Sequence, residues 1–201
     1  MNYKSYLPAL MLLACVPAGA QNKIYPSELQ IKTAVMAAPL GKRDSAMVYG
    51  YSRKGEFVVL REGKNNLVCL ADNPKFKGIS VSCYFNELEP FMARGRDLTA
   101  EGKNFKQKMD TRGTEIESGE LKMPLTPTVL YAYWGSEEEY DTATGEIKDG
   151  LRRYVVYIPY ATGKSTGLPT KPDVPGMPWL MDEGTHKAHI MINPPEMSHK
   201  H

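Results

Sequence analysis

The sequence is short of net charge, of cysteine and of long apolar runs, and each shortage excludes something. Its 201 residues hold 25 Lys and Arg against 23 Asp and Glu, a formal charge of +2. Nucleic-acid binders carry a marked basic excess, so no nucleic-acid partner is expected. No run approaches the ~18 apolar residues of a membrane span, so the mature chain is expected to lack one. No credible phosphate loop or dinucleotide fingerprint occurs, which argues against a cytoplasmic nucleotide enzyme. What is present, 24% charged and 42% hydrophobic residues, rules out a collagen, a coiled-coil rod and a wholly disordered tail. The length suits one domain.

Residues 1–20 read as a secretory signal. Lys4 is their only charge, an apolar run follows from Leu7 to Val16, and Ala18 and Ala20 fit the small-residue cleavage pattern. Removing them takes away one Lys and no acid, so +2 becomes +1. A lipoprotein anchored through Cys15 is the alternative, since Leu12-Leu13-Ala14-Cys15 resembles a lipobox. The expected location is therefore periplasmic or extracellular. Cleavage after Ala20 leaves Cys69 and Cys83, an even pair in an oxidising compartment, which predicts a disulfide between them. Between them Asp72, Asn73, Pro74 and Gly78 read as turn formers.

The remaining pattern predicts an α+β fold: an antiparallel sheet of hairpins and a meander, an N-terminal helix, and one or two peripheral helices. Residues 21–193 form the single domain and 194–201 a flexible tail. A helix is expected over 24–38, with Ser27 as cap and a stripe of Ile24, Leu29, Ile31, Val35 and Met36, ending at Pro39. Strands are expected at 46–51 and 56–61, joined as a hairpin through Gly55, then at 67–70 and 79–85. A short helical piece at 87–92 precedes a polar helix over 99–117, weakened at Gly102 and Gly113. The strongest strands are 128–134 and 151–159, joined by an acidic connection that reads as a solvated loop. Residues 163–178 read as a long surface loop, a kind that is often functional. The last strand ends at Ile192, with Ala188, Ile190 and Ile192 inward and His189, Met191 and Asn193 outward.

Three segments together carry a resemblance. Arg61-Glu62-Gly63-Lys64-Asn65 leading to Cys69, the Pro-Thr-Val-Leu-Tyr-Ala-Tyr stretch at 127–133, and Pro178-Trp179 followed by Asp182-Glu183-Gly184-Thr185 and Ala188-His189-Ile190-Met191-Ile192, resemble a group of uncharacterised exported bacterial proteins with an early R-E-G-x-N-x-x-x-C and a late G-T-x-x-A-H-x-M-I segment. The likeness spans roughly residues 45 to 193. It implies export and one domain, and contributes no catalytic residues.

All four histidines, His186, His189, His199 and His201, lie in the last sixteen positions. On a strand His186 and His189 point to opposite faces, so no metal site is assigned and no cofactor is called for. Gly163-Lys-Ser-Thr-Gly167 has the form of a hydrolase elbow, but the proline-rich stretch after it leaves no helix for an oxyanion hole. Tyr131 and Tyr133 share one strand face, and pairing of the two strong strands would make an aromatic surface edged by Arg152 or Arg153. Trp179 sits where the long loop returns, just before Asp182, Glu183 and His186. The tentative ligand site is therefore Trp179, His186, His189, Tyr131 and Tyr133. The leading expectation is a non-catalytic envelope module that binds a small molecule or an envelope protein. The alternative is an exported hydrolase using His189 or His186 with Asp182, with or without a metal.

Overall fold

A computed structural model describes residues 23–195. The expected signal, Cys15, His199 and His201 lie outside these residues. An eight-stranded sheet forms the body, in the order β2-β1-β3-β4-β5-β6-β8-β7. Helices cover both faces, so the expected α+β architecture with an N-terminal helix is present.

The hairpin of β1 (Met47–Tyr51) and β2 (Phe57–Arg61) turns through Gly55, whose φ of 81° suits glycine. The chain then departs from a meander. β3 (Leu67–Leu70) lies on the other side of β1 and parallel to it. The connection reaches there by passing tightly over the start of β1. A Cβ on Gly63 would come within 2.8 Å of the Met47 backbone nitrogen. Ser45 O accepts from Lys64 N at 2.8 Å, and Lys42 O accepts from Asn65 Nδ2 at 2.8 Å. The Arg-Glu-Gly-Lys-Asn run is thus a crossover clamp.

β4 (Ile79–Phe85), β5 (Thr128–Gly135) and β6 (Leu151–Tyr157) follow in antiparallel order. Cys69 and Cys83 are direct partners across β3 and β4 and are joined by a buried disulfide. The chain-entropy model values such a bridge at about 3 kcal/mol.

α1 (Ser27–Ala34) and the 3-10 turn Val35–Ala37 cover one face. Of the expected stripe Val35 is buried and Ile31 and Met36 pack against the core, but the closest contact is made by other residues. Gln30, Thr33 and Ala34 are buried, and Ala37 and Ala38 continue the contact onto Val48, Val81 and the disulfide. Small side chains let this segment approach the sheet closely. Pro26, not Ser27, occupies the cap position. Gln30 works as a surrogate strand: its amide donates to Tyr51 O at 2.9 Å and accepts from Tyr51 N at 2.8 Å.

The other face carries α2 (Glu89–Ala100) and α3 (Phe105–Glu117) over Val68, Tyr84, Leu88 and Tyr157. The single helix expected over 99–117 is broken. Gly102 takes a φ of 78° and ends α2, and Asn104 with Gln107 forms a capping box that starts α3. Gly113 has a packing reason too, since the His186 ring lies 3.2 Å from where its Cβ would be. Arg94 ties the two helices together through Glu115 at 2.7 Å and Glu101 at 3.0 Å.

The acidic connection 136–150 is not wholly solvated. Ile147 is buried in the α1-side core, Tyr133 Oη donates to Ile147 O and accepts from its N, and Lys32 Nζ donates to Ala143 O. α4 (Gly163–Thr166) replaces the start of the expected loop. Its Ser165 closes a capping box with Thr162, so that hydroxyl is already used. The loop returns as an unexpected strand, β7 (Trp179–Met181), which pairs with β8 (His189–Ile192). Met191 is buried, opposite to the outward placing expected for it, because its row runs under the α2–α3 layer beside Val155. Among the described residues no helix is long and apolar enough to cross a membrane.

Candidate functional site

The sheet separates the expected site residues. Trp179 is the register partner of Met191, and Met181 that of His189, so Trp179 and His189 share the α2–α3 side. The His189 ring lies 5.4 Å from that of Tyr157, and its Nδ1 is 2.8 Å from Lys187 O, the carbonyl that accepts from it. His186 packs edge-on to Phe91 at 6.3 Å. Its Nε2 is buried with no hydrogen-bond partner, and burial, with Lys187 and Arg112 nearby, holds its proton affinity below the usual histidine value. Tyr131 and Tyr133 face the opposite, α1 side. Tyr131 meets Tyr154 edge-to-face at 5.9 Å, while Tyr133 is buried under the Arg152 guanidinium at 4.4 Å.

The acids near the histidines are engaged elsewhere. Asp182 pairs with Lys187 at 3.2 Å, and Glu183 accepts from Gly163 N at 2.9 Å. Among the described residues no group of three or more His, Cys, Asp or Glu side chains is placed to hold a metal ion.

A different constellation forms a cavity on the α1 side. Four separate segments build it, α1 counting as one with the residues that lead into it. The approach to α1 brings Lys23 and Tyr25, α1 brings Gln30 and Thr33, the end of β1 brings Tyr51, and the loop before β4 brings Asp72. The acidic connection closes it with Tyr140. The Tyr25 and Tyr140 rings meet at 5.1 Å in a T-shape. Thr33 Oγ1 donates to Leu29 O at 2.9 Å, so at its 2.6 Å contact with Tyr140 Oη it is the tyrosine that donates.

Asp72 is the charged group of this cavity. It accepts from Ser80 N at 2.8 Å. Burial, with Glu137 as a second negative charge, raises its pKa to about 6 against the opposing pull of the Ser80 and Asn73 N–H groups. Burial likewise raises Tyr25, Tyr51 and Tyr140, so all three stay neutral phenols at ordinary pH. The lining offers a carboxylate and aromatic walls but no nucleophile beside a base. Such a lining is equipped to hold a polar group.

Sequence reasoning passed over these residues. Asp72 was legible only as a turn former and Tyr140 only as part of an acidic run. The local signal was the tyrosine itself, a large amphipathic side chain in a stretch of polar residues. No protein-family model, curated protein or solved structure matches the chain.

Proposed function

We propose that the chain is exported and acts as a non-catalytic module that binds a small ligand in the Asp72 pocket. One observation carries this reading. A half-buried carboxylate lines a cavity beside the Tyr25 and Tyr140 rings, and the Gln30, Thr33 and Tyr140 side chains there are already bonded within the protein. Such a group is costly to desolvate, and a ligand that answers it offsets that cost. The buried disulfide supports the export half of the reading, because such bridges persist in oxidising compartments.

Heteronuclear NMR of the mature protein against a library of small amines, acids and neutral polar compounds tests the binding half. The expected result is shifts at Tyr25, Tyr51 and Tyr140 with no compound consumed. Turnover of an ester or phosphoester that is lost in His189→Ala would instead establish a hydrolase. N-terminal sequencing tests export: Gln21 as first residue supports the soluble form, and an acylated Cys15 the anchored one.

A further inference from the structure

We infer that the Asp72 pocket selects a primary ammonium group, an inference that rests on the binding reading above. The first support is charge. Among the described residues Asp72 has no ion-pair partner, and the charge acting on it most strongly is the like-signed Glu137. A cation entering the pocket meets a carboxylate that is in no salt bridge.

The walls agree with that charge. The Tyr25 ring, with Tyr140 edge-to-face beside it, supplies a π face, which attracts cations. Two of the pocket's donors are taken: the Gln30 amide donates to Tyr25 O and Tyr51 O, and the Tyr140 hydroxyl to Thr33. The cavity is small and partly open, with room for about one water. A compact –NH3+ head suits it better than a bulky trimethylammonium head.

The chain itself supplies the precedent. Lys23 lines the same pocket, and its Nζ stands 4.7 Å above the Tyr25 ring. A primary ammonium on its own stem therefore already rests at the mouth, where an incoming amine competes with it.

The test is titration calorimetry of the mature protein at pH 7.5 with n-butylammonium, 1-butanol and n-butyltrimethylammonium. Butylammonium is expected to bind at least tenfold more tightly than either comparator. Asp72→Asn keeps an acceptor for Ser80 N and is expected to lose at least tenfold; Lys23→Met is expected to gain a few-fold. Tyr25→Leu, which lacks the ring but not the carboxylate, gives a second variant should Asp72→Asn fold poorly, and it too is expected to weaken butylammonium. Nα-acetyl-lysine methylamide distinguishes a peptide lysine from a free amine as the source. Equal binding of butanol and butylammonium, with shifts at Tyr25 and Tyr140, overturns the ammonium inference and leaves the pocket reading standing. Absence of binding by all the amines also overturns it, and the pocket reading then falls only if the wider library leaves the pocket untouched.

Discussion

Asp72, half-buried, and Arg112, buried, are both charged and both without an ion-pair partner among the described residues. They lie on opposite faces of the sheet and end in opposite situations. Arg112 donates to Phe91 O at 3.1 Å, reaches Lys108 O and Met109 Sδ, and lies 3.9 Å over the Phe91 ring. The surrounding helices answer its guanidinium with carbonyls and a π face. Asp72 has backbone N–H partners on one side and open space on the other. Burial of a charge therefore does not by itself mark a site. The distinguishing feature is whether the protein fills the charge's remaining valence or leaves it facing a cavity.

The comparison can be broken most severely at the disulfide, which braces the strands flanking the Asp72 loop. Replacing both cysteines with alanine is expected to cost about 3 kcal/mol in urea unfolding. Arg112→Ala comes next, at about 2 kcal/mol, because Phe91 O loses its donor in a buried setting. Butylammonium binding should be unaffected in that variant, and a large loss of binding would erase the contrast between the two faces.

Asp72→Asn should act with the opposite sign. The folded-state pKa of Asp72, about 6, lies above the ordinary 3.8, so the folded chain holds a proton between those values that the unfolded chain has released. Wild-type stability should therefore fall as pH rises from 4 to 6 and level off above. The variant should remove that fall and gain on the order of 1 kcal/mol at pH 7.5, once solvent screening is allowed for, with no gain at pH 4. Urea midpoints at the two pH values check this, and parallel profiles would contradict it. The smallest effect is spectroscopic. His186 is depressed mainly by burial, so its ring proton should titrate with a midpoint below 6.5, and a midpoint above that value would mean that Nε2 is not enclosed.

The parts visible in the sequence are those whose signals are local. The Gly55 hairpin, the strands that became β5 and β6, and the cysteine pairing all follow from short patterns of alternation, turn residues and count. Other signals were local but were weighed in the wrong way. Gly102 reads as a cost inside a helix unless Asn104 and Gln107 are recognised as the start of the next one. Alanines in the first helix carry little hydrophobic signal, yet Ala34, Ala37 and Ala38 make its contact with the sheet. The crossover to β3 and the strand at Trp179 depend on tertiary pairing, which periodicity does not report. Least visible of all was the pocket, since its residues come from four segments that meet only after the sheet is built.

The disulfide has a consequence beyond cross-linking. Cys69 and Cys83 stand directly opposite each other, on the face toward α1. Were β3 to slide by one position along β4, Cys69 would turn to the far side of the sheet and the two sulfurs would point apart. Oxidation can therefore capture only alignments of correct parity, and of these the directly opposed one brings the sulfurs closest. Once captured, that alignment fixes the register of β3 on β4, so the bridge acts as a proofreader of that strand pair.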